Sequence, residues 1–149
     1  LTKENILALL PYKRPFLFVD EIVQLTGEGA VGHFTFHREL DFYQGHFKDN
    51  PVTPGVILTE CCAQIGLVCL GIYLLEIGNK MPHQVQIGLS SAQMDFLLPV
   101  YPGEKVTVHS VKEYFRFNKL KCQVTMYNEQ SQLVCKGAIS GMLKANAHG

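Results

Sequence analysis

Residues 54–75, PGVILTECCAQIGLVCLGIYLL, are apolar or small on nearly every side of a helical wheel, and such a helix has to be enclosed rather than laid on a surface. Thr53 is placed to cap it, Pro54 suits the first turn, where no N–H is needed, and Gly55 follows with a free backbone N–H and no side chain to block a ligand. Gly78 and Asn79 supply the stop, with Pro82 beyond them. Glu60 and Gln64 interrupt the run, leaving eleven apolar or small residues after Gln64. That is short of the ~20 needed to cross a bilayer, so the expectation is a buried core helix.

The enclosure is expected from strands. Residues 16–25 and 30–36 are rich in β-formers and flank a turn at 27–29, which predicts a hairpin. After the long helix the apolar period changes to two, predicting strands over 84–96, 104–115, 119–127 and 132–144 with turns at 99–103, 118 and 128–131. Leu120, Cys122, Val124 and Met126 share one face, as do Leu133, Cys135, Ile139, Gly141 and Leu143. These four strands read as an antiparallel meander. Residues 2–9 read as a short helix with Thr2 as its cap, ended by Pro11. The fold class is therefore α+β, about six antiparallel strands wrapped around one central helix. A chain of 149 residues with 47% hydrophobic content suits a single domain over 1–149.

Thirteen basic and thirteen acidic residues balance, which argues against a nucleic-acid-binding or membrane-binding surface. Five cysteines, without CxxC or Cys/His ligand spacing, argue against a disulfide framework and a structural metal, and point to a reduced, cytoplasmic setting. No charged-then-apolar leader is visible. The helix cysteines Cys61, Cys62 and Cys69 read as small core residues, since no neighbouring cation would activate a thiol.

The chemistry gathers between residues 44 and 64. His46 lies in a loop, and the Glu60 carboxyl sits about 9 Å along the helix from Pro54, on an apolar element where a charge needs a reason. A neutral imidazole can take a proton near physiological pH. A carboxylic acid kept protonated by apolar surroundings can deliver one. The Gly55 N–H, at the positive end of a helix, can steady an oxygen that gains charge. Gln64, one turn after Glu60, is placed to orient it. Phe42, Tyr43 and Phe47 suit an acyl channel or ordinary packing equally well. Each residue alone has a plain structural reading, and the combination carries the signal.

The ordered set of RPFLFVD at residues 14–20, GHF at 45–47, PVTPGV at 51–56, Glu60 with Ala63 and Gln64, and LPVYPGE at 98–104 resembles the hot-dog-fold dehydratases of the FabZ type. These act on 3-hydroxyacyl groups carried by acyl carrier protein. The resemblance covers nearly the whole chain and implies reversible loss of water to a trans-2-enoyl thioester, without metal or organic cofactor. It implies His46 and Glu60 as the catalytic pair, with Gly55, Phe47, Val56 and Gln64 on the substrate side. Glu at position 60, where related dehydratase/isomerases carry Asp, favours plain dehydration. It also implies a homodimer in which His46 faces the partner's Glu60, with three dimers often forming a hexamer. Lys13, Arg14, Lys48, Arg116, Lys119 and Lys121 are candidate contacts to an acidic carrier. Thr53 and Lys48 stand where the family usually has Met and Pro, which leaves chain length and carrier preference open. A hot-dog acyl thioesterase and a non-catalytic acyl-binding protein are the alternative readings.

Overall fold

The computed structural model describes residues 2–78 and 85–145. The order is α1 (Lys3–Ala8), β1 (Glu21–Thr26), β2 (Gly29–Thr35), a short 3-10 turn at Asp41–Gln44, the central helix α2 (Gly55–Ile77), then β3 (Val85–Phe96), β4 (Lys105–Arg116), β5 (Lys119–Tyr127) and β6 (Leu133–Ala145). Thr2 caps α1 through a reciprocal pair of hydrogen bonds with Asn5. Gly78 closes α2. Asn79 and Pro82 of the expected stop, and Gln84 at the expected start of β3, lie outside the described residues.

All six strands form one antiparallel sheet in the order β1-β2-β4-β5-β6-β3. The expected hairpin is present as β1 and β2. The expected meander holds for β4, β5 and β6, but β3 lies beyond β6 at the far edge rather than beside β4. The reason is competition for one edge: β2 already occupies the free side of β4 over seven residue pairs. The chain leaves β2 on one side of the sheet and returns on the other, with α2 between, so the sheet curls around the helix. This is the hot-dog arrangement.

A second difference concerns residues 16–25. Only Glu21–Thr26 pairs as a strand. The Phe18 N–H donates to Gln64 Oε1 at 2.8 Å and the Phe16 carbonyl accepts from Gln64 Nε2 at 3.0 Å, so this stretch hydrogen-bonds to a helix side chain instead of a neighbouring strand.

The core is the inner face of the sheet against α2. Leu120, Cys122, Val124 and Met126 of β5 are all buried, as the period of two predicts. The helix reaches 23 residues, and its most apolar window has a mean hydropathy of 1.9, so length and composition alone do not separate it from a membrane span. Glu60 and Gln64 do not shorten it. Its surroundings decide: 72% of that window is buried inside the fold. The middle of the helix, Gln64–Cys69, is a π-helical turn with every residue buried. There a Cβ on Gly66 would lie 2.8 Å from Ser110 Cβ, and the Ser110 hydroxyl donates to the Gly66 carbonyl at 2.8 Å. Only glycine lets helix and sheet approach that closely.

Candidate active site

The N-terminus of α2 is built differently from the sequence expectation. Pro54 itself occupies the cap position, its carbonyl accepting from the Ile57 and Leu58 N–H groups. Thr53 does not cap. Its hydroxyl pairs with the Tyr43 hydroxyl at 2.6 Å, and its N–H donates to the Val100 carbonyl, so its polar groups serve the adjoining loops. Gly55 is then the first helical residue, and its N–H has no intrahelical acceptor. The Phe96 ring lies over it, with Cζ 3.2 Å from where a Cβ would be, so any side chain at position 55 would crowd this spot.

Gly55, Val56, Thr59 and Glu60 of α2 face Leu89, Ala92, Met94 and Phe96 of β3 across a cleft of about 590 Å³. Behind Glu60, the fully buried Gln64 is tied at three points. Its carbonyl oxygen accepts from Phe18 N–H, which forces its amide nitrogen toward the Phe16 carbonyl and Glu60 Oε2, the latter at 2.9 Å. Oε2 is thereby taken by a donor, which leaves Oε1 as the oxygen free to carry a proton. Burial raises the Glu60 pKa above the ordinary carboxylate value, and the Gln64 hydrogen bond pulls it partly back. The Tyr12 hydroxyl is pushed up to about 12, mainly by burial and next by the nearby Glu60 charge. Thr59, whose hydroxyl donates to the Gly55 carbonyl, and the β3 side chains were not legible as site residues from sequence, because nothing local marks which strand packs on the helix.

His46 is held in its loop from both sides: its carbonyl accepts from the Val52 N–H, and its Nδ1 lies 2.9 Å from the Val52 carbonyl. A carbonyl can only accept, so Nδ1 carries the proton and Nε2 of the neutral ring is the free base. Phe47 stacks on the imidazole at 4.0 Å between centroids and is itself 56% exposed. Neither His46 nor Phe47 is on the wall of the cleft that holds Glu60. Within one chain, then, the cleft unites Gly55, Val56 and Glu60, with Gln64 behind, and leaves His46 outside. Val56 is 77% exposed.

A family model for the FabA-like domain matches residues 10–141. The chain belongs to the FabA-like family. Among FabA-like proteins it is 33% identical over 144 residues to the 3-hydroxyacyl-(acyl-carrier-protein) dehydratase FabZ of Roseiflexus sp. (strain RS-1), covering 93% of this chain and 94% of that one. It is 34% identical over 118 residues to the FabZ of Paramagnetospirillum magneticum, covering 78% and 71%. In structure it is similar to the dehydratase heterocomplex ApeI:P from Xenorhabdus doucetiae, with a TM-score of 0.79 at 9% identity over 95% of this chain and 91% of that one. It is also similar to a thioesterase from Haemophilus influenzae, with a TM-score of 0.69 at 18% identity over 100% and 94%. Neighbours bearing both names share this backbone, so the FabA-like fold alone does not choose a reaction.

The raised Glu60 pKa makes a testable statement about this FabA-like fold. A carboxyl whose folded pKa is raised contributes most below the ordinary carboxylate range, and that contribution is lost as pH rises through the folded value. Glu60→Gln is neutral at every pH. It should melt higher than the wild type at neutral pH and lose that advantage near pH ~4, where the wild-type acid is protonated as well. Melting curves at both pH values test this, and an equal offset at both would mean that the carboxyl is not shifted.

Proposed function

We propose that the chain removes water reversibly from a 3-hydroxyacyl thioester held on an acyl carrier protein, giving the trans-2-enoyl thioester, and that residues 1–149 form one domain for this purpose. The observation that carries the reading is the protonatable Glu60 facing a cleft beside the free Gly55 N–H, with Gln64 fixing which oxygen is presented. The Gly55 N–H receives the thioester oxygen, where negative charge builds as the C2–H bond breaks. His46 Nε2 takes that proton. Glu60 Oε1 gives its proton to the 3-hydroxyl, the C3–O bond breaks, water leaves and the C2–C3 double bond forms. Exchange with solvent returns one proton to Glu60 and removes one from His46. Only protons are exchanged, so the reaction calls for neither a redox group nor a metal.

Because His46 lies outside its own chain's cleft, the base is assigned to a second copy. Among the described residues β3 is an edge strand of twelve residues, bonded to β6 on one side and with no strand on the other. An antiparallel pairing of β3 with the β3 of another copy satisfies that edge and produces an isologous dimer with two shared sites. Three such dimers form the hexamer that the resemblance implies. Lys13, Arg14 and Lys48, all exposed, are the assigned contacts to the acidic surface of a cytoplasmic carrier.

The test is to incubate the purified protein with 3-hydroxyacyl and 2-enoyl thioesters on carrier protein and on coenzyme A, followed by mass analysis. Gain or loss of one water with the thioester intact is expected. Release of free acid and thiol would replace this reading with hydrolysis, and binding without turnover would replace it with a non-catalytic acyl carrier.

A further inference from the structure

The four β3 residues on the cleft wall do not follow one parity. Leu89 is odd, whereas Ala92, Met94 and Phe96 are even, yet all four line the same cleft against α2. In an uninterrupted strand, residues 89 and 92 would face opposite sides. A β-bulge reconciles them: Leu89 pairs with Gly141 and Ser91 with Ser140, so Ser90 and Ser91 together oppose one residue of β6. The bulge is held on the outer side of the sheet by hydroxyls. Ser140, 1% exposed, hydrogen-bonds to Ser91 Oγ at 2.6 Å and to Ser90 Oγ at 3.1 Å.

Leu89 also stands where the cleft ends. The helix and β3 run alongside each other, with Gly55 against Phe96 at one end and Gly71 against Ile87 at the other. A Cβ on Gly71 would lie 2.8 Å from Ile87 Cδ1, and one on Gly141 would lie 2.7 Å from Leu67 Cδ2 and 3.1 Å from Ile87 Cγ2. Helix and sheet pack closely there, one strand position beyond Leu89 on the same face. With C1 of the acyl group at Gly55 and C3 at Glu60, the tail runs along β3 toward Leu89, which is 48% exposed on the open side of the cleft.

We infer that Leu89, turned into the cleft by the bulge at Ser90 and Ser91, sets the length of acyl chain the site accepts, and that Ser140 is the positioning residue that holds it there. The inference rests on the dehydratase reading above and deepens it. Shortening Leu89 extends the cleft for a longer tail, and enlarging it closes the cleft to all but short ones.

The experiment compares hydration of crotonyl and dodecenoyl thioesters by wild type, Leu89→Ala, Leu89→Trp and Ser140→Ala. The readout is the ratio of kcat/KM for the long substrate over the short one on a single preparation, so a change in the fraction of assembled protein cancels. The ratio should rise about tenfold in Leu89→Ala and fall about tenfold in Leu89→Trp, the lower end of the scale on which a single methylene is discriminated in an apolar pocket. Ser140→Ala should move it in the Leu89→Ala direction by severalfold. A lowered melting temperature with an unmoved ratio would leave Ser140 merely structural and overturn its part. Ratios within twofold of wild type in both Leu89 variants would overturn the inference alone, and a wild type that hydrates neither substrate would overturn it together with the dehydratase reading.

Discussion

Hydration of an enoyl thioester by His46→Ala is expected to fall by about 10²–10⁴-fold, the range that a positioned general acid or base contributes. The loss should appear in kcat with KM nearly unchanged, since the imidazole acts on the C2 proton and the acyl tail is bound elsewhere, along α2 and β3. The fold should survive, because His46 is a half-buried loop residue outside the core. Among the described residues its side chain makes one hydrogen bond, to the Val52 carbonyl, while its backbone bond to Val52 is independent of the imidazole. Stopped or coupled assays on folded His46→Ala decide the matter. Turnover within a few-fold of wild type would remove His46 from the reaction.

The second large effect is a rescue. Glu60→Gln, which leaves the Gln64 network able to bond but cannot deliver a proton, should lose activity on the same scale as His46→Ala. If each site takes Glu60 from one chain and His46 from another, the two inactive proteins complement each other. A hybrid dimer carries one site with both lesions and one site with neither. Random pairing after joint unfolding and refolding makes about half the dimers hybrid, so about a quarter of wild-type activity should return. This follows from His46 lying off the cleft wall that Glu60 occupies. A mixture that stays at the level of the separate variants would mean that each chain completes its own site through a loop rearrangement.

Much of this was written locally. Thr2 caps α1 as expected, the β1–β2 hairpin follows from β-forming residues around the turn at 27–29, the β5 face follows from a period of two, and Gln64 one helical turn after Glu60 does bond to it. Those features depend on residues a few positions apart, whose relative directions are set by the helix or strand that carries them. Thr53 shows the limit of such reasoning. Its side chain is a good cap by type, yet Pro54 takes the cap and Thr53 turns to Tyr43, a partner chosen by the packing of another loop. Residues 16–20 show it again: they have strand composition, but the backbone groups of Phe16 and Phe18 are met by Gln64, some 46–48 positions away.

By itself the sequence determined that one apolar helix beginning at a proline-glycine step had to be wrapped by strands, and that an imidazole and a carboxyl flanked that step. Tertiary structure alone decided that β3 lies at the open edge beside β6, that the bulge at Ser90 puts Leu89 on the same wall as Phe96, and that His46 stays out of its own chain's cleft. The physical reason is common to all three. Periodicity specifies which side of an element is apolar, whereas the neighbour that side meets depends on which strand edge is already occupied and where the register slips by one residue.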